Sequence, residues 1–540
     1  MRKILVLATT LLIFSNSFAI FGNRKQGYSK KDVGKILKAI DTIRVDDFGA
    51  KGDGVTDDTA AIRAAVEDIR DEGGTIYFSN NKTYMVDSNT TITLRSNVNI
   101  YIPENCIVKA LPNDQGGYEV FKGENISNFK IYGGGTIAGE RDEHTGSTGE
   151  WGFGIQLNGV NDYTISDIRI TDCWGDGIYL GSSTTQVYCE NGLIENVDSY
   201  DNRRQGASII SAKNLLIRNC IFRDTNGVAP ESGIDFEPNN DLEFLENIIL
   251  ENVVTRNNLG QGFEFYFRNL DDATSADVDI KMINCKDVGS ENSFYVRSTP
   301  AMSSIDMAVD NFISEDSTQT SVLITDTSYL NEIKLNNLTV KGGNTSSSVG
   351  DTTGSGIVVI RNSDLEPTVE VGGVYINDFS VVSTNYNWSV LVKDLNSQAG
   401  YKNVKLVNPK VLENSNELNT INWHYNGESH LQDDYGITTE TLTATETIYP
   451  TRHHLVYETS VNTTATLSNY GDYPANYKAT FKNPALGTTL IIDTGNMRIF
   501  PLQTTAGNTI TCSERGGQIT LVKKGNDLFI TNVIGTWTAQ

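Results

Sequence analysis

The sequence predicts an all-β chain wound as a parallel β-solenoid, and two observations carry that prediction. Short runs of alternating apolar residues, each led by a small residue, recur as GIQLN at 154, GIYLG at 177, GASII at 206, GIDFE at 233, GFEFY at 262, SFYVR at 293, SVLIT at 321, GIVVI at 356 and SVLVK at 389. The steps between them are 23, 29, 27, 29, 31, 28, 35 and 33 residues, the length of one strand-rich coil. A second series runs in phase with the first: Asn196-Val197, Asn219-Cys220, Asn252-Val253, Asn284-Cys285, Asn311-Phe312 and Asn337-Leu338. One amide followed by one apolar residue per repeat predicts an asparagine stack at a tight turn. An antiparallel sandwich would not hold one register through nine repeats.

Taken in order, the chain opens with MRKILVLATTLLIFSNSFA, a basic start, an apolar run and small residues ending at Ala19. This reads as a secretory signal peptide over 1–19, which predicts a secreted or periplasmic protein. No cysteine follows the apolar run and no later segment reaches about 18 uninterrupted apolar residues, so no membrane anchor is expected. Residues 20–40 read as a linker, and 41–425 as the solenoid. Helical periodicity is convincing once, in TDDTAAIRAAVEDIRDEGG. A helix is expected over 57–71, capped by Thr56 or Asp57 and stopped by Gly73–Gly74. It would cover the apolar end that a solenoid's first coil exposes. The repeat fades near 425, and 430–540 reads as a small C-terminal β domain for carbohydrate binding, capping or oligomerisation, a homo-trimer among the options.

A net charge of -24 disfavours nucleic acid as a partner and argues against a strongly anionic polymer unless local arginine or bound cations compensate. Six cysteines are too few for a disulfide scaffold in 540 residues. Cys173 and Cys189 can bridge in an oxidising compartment, whereas Cys220 and Cys285 read as small apolar core residues. Five histidines with no CxxC or HExxH leave no expected zinc site and no expected cofactor.

VDDFGAKGDGVTDDTAAI (45–62), followed by GGTIYF, resembles the N-terminal segment of the right-handed parallel β-helix proteins grouped around pectate lyases and polygalacturonases. Phage tailspike depolymerases and mannuronan C5-epimerases carry similar segments. The resemblance implies a right-handed single-stranded helix over roughly 41–425 and, since nearly all enzymes of the superfamily act on polysaccharides, a polysaccharide partner. Its catalytic motifs do not carry over. The Asn-Thr-Asp, Asp-Asp, His-Gly and Arg-x-Lys motifs of polygalacturonases do not sit on these coils, and Asp235-Phe-Glu-Pro lacks the histidine of the epimerases' Asp-Pro-His-Glu.

The register locates a candidate site. Successive coils lie about 4.8 Å apart, and alternate residues of a strand about 6.5–7 Å apart on one face. Counting from the glycine, positions +1 and +3 are apolar throughout and point inward. Position +2 reads Gln156, Tyr179, Ser208, Asp235, Glu264, Tyr295, then aliphatics; position +4 includes Glu237, Tyr266 and Arg297. Asp235 should therefore neighbour Glu264 across coils and Glu237 along its strand, and such stacked acids repel and raise at least one pKa. With Asp176 in support, these are the candidate catalytic carboxyls. Arg204, Gln205, Tyr179, Tyr266, Tyr295, Arg297, Trp151 and His144 are the candidate substrate-binding residues, the last two overhanging from ERDEHTGSTGEW (140–151). Plainer readings exist: an outward Asp is usually only solvated, Asp176 in GDG can be a turn former, and the tyrosines can be ordinary strand residues.

The leading functional expectation is a secreted glycoside hydrolase with no metal site. The first rival is a lyase or epimerase acting on a uronate polymer, in which the carboxylates would hold Ca²⁺. The second is a non-catalytic glycan-binding adhesin.

Overall fold

The computed structural model describes residues 42–343 apart from 70, 72, 271–274 and 276, and beyond these mainly strand segments between 355 and 539. The expected signal peptide and linker lie outside the described residues, as does the boundary near 425.

Strands dominate, and they pair in parallel from coil to coil. One face of the solenoid is a 12-stranded parallel sheet running from Ile92–Thr93 to Ile421–His424. The other ladders form a 25-stranded sheet. The glycine-led runs stack in the register read from sequence: Gln156 beside Tyr179, Tyr179 beside Ser208, Ser208 beside Asp235, Asp235 beside Glu264 and Glu264 beside Tyr295. Positions +1 and +3, from Ile155 and Leu157 to Phe294 and Val296, are fully buried. Phe236 and Phe265 stack with ring centroids 5.0 Å apart, close to the coil rise itself.

The asparagine series forms the expected stack. Asn196, Asn219, Asn252, Asn284, Asn311 and Asn337 all hold a left-handed backbone, with φ between 54° and 60°, which asparagine tolerates better than most residues. From Asn252 onward each side-chain amide donates to the coil before it, as from Asn252 to Asn219 at 3.1 Å and from Asn311 to Asn284 at 3.0 Å. A second ladder, Asn191–Asn214–Asn247, was not singled out in the sequence.

Strict alternation fails at one column. Pairing runs from 176 to 178 and from 205 to 207, skipping the glycine between. A Cβ on Gly177 would lie 2.7 Å from the Gly206 carbonyl oxygen, and one on Gly206 2.4 Å from that of Gly233. The glycine column is thus where each coil's backbone leans on the next. This bend brings the residue before the glycine onto the same polar layer as position +2.

Two expectations are corrected. The helix spans Thr59–Asp68 rather than 57–71. Asp57 pairs in the preceding strand, the Asp58 carboxylate accepts the backbone N–H groups of Lys51 and Gly52, and Ile69 has turned to extended backbone. Ile62, Ala65 and Val66 of the helix join the main core. All six cysteines are free and buried. Cys173 and Cys189 do not bridge: Cys173 Sγ packs beside Gly154, whereas Cys189 Sγ lies 3.4 Å from the carbonyl oxygens of Leu157 and Gly181, about 10 Å further along the strand and beyond the 4.4–6.8 Å that disulfide-linked Cα atoms span.

Strands from Thr438 to Ala539 form a six-stranded and a five-stranded sheet around a separate cluster that includes Phe481, Leu490, Ile492 and Ile510.

Candidate active site

The bend at the glycine column builds the site. It sets the residue before each glycine diagonally against position +2 of the next coil, and four such pairs follow one another. Phe153 stacks on Tyr179 with centroids 4.9 Å apart. Ser208 Oγ donates to Asp176 Oδ2 at 2.7 Å, Gln205 Nε2 donates to Asp235 Oδ2 at 2.6 Å, and Ser232 Oγ donates to Glu264 Oε2 at 2.5 Å. Beside this diagonal lies a groove of about 280 Å³, lined by Tyr118, Glu119, Trp151, Phe153, Gln156, Asp176, Tyr179, Arg204, Ile210, Glu237 and Asn239.

Position on the groove wall, not exposure, separates the four expected carboxyls, since Asp176 is itself fully buried. Asp176 and Glu237 line the groove. Asp235 is 1 % and Glu264 6 % exposed, and neither is on the lining. Glu237, at the end of its strand, keeps 28 % of its side chain exposed. Arg204 joins Asp176 and Glu237, 3.5 Å from Asp176 Oδ2 and 3.8 Å from Glu237 Oε2.

Burial governs the electrostatics. It pushes the Asp176 carboxyl up to about 6, against the opposing pull of Arg204 and of the Ser208 hydroxyl. Asp235 is raised further, by burial first and then by the charges of Glu264 and Glu237. Glu264 is raised as well, again chiefly by burial. Burial disfavours the Arg204 guanidinium, but Asp176, Asp235 and Glu237 outweigh it and hold the charge firmly on.

A donor count adds a constraint. Ser208 Oγ touches both Asp176 Oδ2 and Gln205 Oε1, and Gln205 reaches Asp235 with its other amide atom. Three contacts thus link Asp176 to Asp235, while Ser208 and Gln205 supply two protons to them. Every contact is a hydrogen bond only when one of the two carboxyls brings the third. Reversing the glutamine amide reverses the direction of the chain and moves that requirement to the other acid.

The remaining expected residues divide. Trp151 is 56 % exposed at the rim, and Tyr179 and Arg204 line the groove. Gln205 is buried behind it, holding Asp235 rather than facing a ligand. Tyr266, Tyr295 and Arg297 are on the following coils and off the lining, with the Arg297 guanidinium 5.8 Å from the Tyr266 ring. His144 is corrected. Its side chain is fully enclosed, Nδ1 lies 2.9 Å from Glu140 Oε1, and its ring stacks at 3.7 Å on Trp174. Arg203 covers that indole, its guanidinium 3.7 Å from the ring centroid, and so His144 anchors the 140–151 segment instead of overhanging the groove. Tyr118 and Glu119 were missed. Their strand, Gly117–Glu124, pairs with Trp151–Asn158 but presents Val120 where later coils have glycine. Its alternating YEVFKGE, one repeat length upstream, was the available signal.

Comparison with known proteins follows the same division between fold and chemistry. A family model described as rhamnogalacturonase A/epimerase, pectate lyase-like, matches residues 42–101, and one described as right handed beta helix region matches 153–369. Protein YclG of Bacillus subtilis is 35 % identical over 240 residues, 39 % of this chain and 40 % of that one. Mannuronan C5-epimerase AlgE1 of Azotobacter vinelandii is 29 % identical over 205 residues, 32 % of this chain and 14 % of that one. The matched stretch therefore spans two fifths or less of these relatives' own length. The family 28 exopolygalacturonase of Yersinia enterocolitica superposes with a TM-score of 0.53 at 13 % identity, over 72 % of this chain and 78 % of that one, a likeness of fold.

Proposed function

Taking the chain as a right-handed parallel β-helix of the pectate lyase-like kind, we propose that it hydrolyses glycosidic bonds of a polysaccharide laid in the groove. Asp176 is the proton donor to the leaving oxygen. Glu237, across Arg204, is the carboxylate that attacks the sugar or activates water. The observation that carries this reading is the contrast between two acids on one groove wall. Asp176 is desolvated and raised to about 6, with Oδ1 unpartnered, while Glu237 is open to solvent. Separating the environments of two carboxyls is how a site assigns acid and base roles. Trp151 and Tyr179 offer faces on which sugar rings stack. Asp235 and Glu264 act from beneath, as buried acids that set the field at Arg204. Export through residues 1–19 belongs to the same proposal.

Product mass tests it. Hydrolysis adds one water per cut, whereas elimination adds none and leaves an unsaturated sugar, with calcium chelation as the companion control for that route. Asp176→Asn and Glu237→Gln should each lower kcat by about 10²–10⁴-fold with the fold intact. Unsaturated products, or full activity in both variants, would sink the assignment.

A further inference from the structure

We infer that the groove selects an uncharged glycan and turns away polyuronates and sulfated polymers. The reaction assumed is the hydrolysis proposed above, but the inference rests on the charges that line the groove.

Glu119, Asp176 and Glu237 face it, and Asp235 and Glu264 lie beneath. Among the described residues of the lining, Arg204 is the one cation, and it is held by Asp176 at 3.5 Å and Glu237 at 3.8 Å. Two cations that adjoin lining residues, Lys122 beside Gln156 and Arg203 next to Arg204, are engaged as well. Lys122 Nζ sits 3.3 Å from Glu119 Oε1. Arg203 lies flat on Trp174 and donates to the carbonyl oxygens of Gly149 and Trp174.

A polymer with one carboxylate per sugar would bring each charge out of water against this wall. Without a free cation among the described residues of the lining to receive it, the lost hydration is not replaced, and the carboxylates already present add repulsion. Taking Arg204 from its partners would only leave Glu237 without its cation. The rest of the lining suits hydroxyl-bearing rings: Gln156 and Asn239 offer amides, and Trp151, Tyr118 and Tyr179 offer aromatic faces. Gln156 Oε1 is buried and has no partner of its own, an acceptor that a sugar hydroxyl reaching it would satisfy.

The test is gel retardation and product release with the full chain, using neutral xylans, glucans and mannans beside polygalacturonate, alginate and a sulfated galactan. Retardation by at least one neutral polymer is expected, and at least tenfold weaker retardation by the acidic ones at low salt. Glu119→Gln, which releases Lys122, should narrow that gap. A neutral polymer that is retarded but uncut leaves this inference standing and removes the hydrolase reading. Cutting or preferential retardation of an acidic polymer overturns the inference and leaves hydrolysis intact. Retardation by no neutral polymer overturns it too.

Discussion

Ser208 has one proton and two acceptors, and the pH response of the site turns on where that proton points. Its bond to Asp176 favours the ionised carboxylate, opposing the burial that raises this group to about 6. An acid catalyst must be protonated, so the rate governed by Asp176 falls as pH rises through about 6. Ser208→Ala removes a donor to the charged form. The alkaline limb should then move up by about one unit, the size of one hydrogen bond to a charge. An unmoved limb in a folded Ser208→Ala protein would show that Asp176 does not set it. Asp235 and Gln205 show how far sequence reads at this scale. Asp235 lies beside Glu264 as period-two counting requires, whereas its contact with Gln205 and the depth of both residues do not follow from that counting. Which carboxyl reaches the groove depends on the side chain set diagonally against it and on the bend at the glycine, and neither is local in sequence.

At the scale of the coil, the glycine column and the asparagine ladders do different work. Gly206 is needed for space, since any Cβ would meet the Gly233 carbonyl oxygen at 2.4 Å and the Phe222 Cβ at 3.0 Å. Gly206→Ala should cost about 1–3 kcal/mol, as overpacking does, seen as a lower midpoint in thermal unfolding. Asn252 is needed for backbone conformation and for the ladder, with φ at 55° and bonds to Asn219 and from Asn284. Asn252→Ala should cost about 1–2 kcal/mol, and Asn252→Gly should recover part of it by relieving the left-handed strain. Full loss in both variants would place the effect in the ladder bonds alone. Both columns were legible because repetition multiplies a weak local signal. The first groove strand, Gly117–Glu124, was not, because its coil lacks the marker residue by which the others were aligned.

Across the whole molecule, buried carboxyls make the fold prefer mild acid. Asp176 and Asp287 are each raised to about 6, in both cases chiefly by burial, and Asp235 and Glu264 are raised as well. Asp287 sits in an interior network, accepting from Thr255, Ser290 and Ser293 at 2.6–2.7 Å. A raised carboxyl binds its proton more tightly when folded. Its contribution is complete below the unfolded value near 3.8 and is lost as pH rises through about 6. Between pH 8 and pH 5 each such group should add about 1 kcal/mol, and relief of self-repulsion at a net charge of -24 acts in the same direction. The unfolding midpoint should therefore rise on acidification from pH 8 to pH 5, and Asp287→Asn should flatten the rise. A midpoint that falls over that interval would contradict the shifts.

The sequence by itself determined the coil, its register and which side chains face out, because a two-residue period and one anchoring residue per turn are local quantities repeated nine times. It also brought Asp176, Arg204, Asp235, Glu237 and Glu264 into one neighbourhood. Only the tertiary structure decided their roles. The bend at the glycines, the strand Gly117–Glu124 and the 140–151 segment pinned by His144 on Trp174 set which acids line the groove and which stay beneath. Solvation more than adjacency controls whether these carboxyls are charged, and solvation depends on atoms contributed from distant parts of the chain.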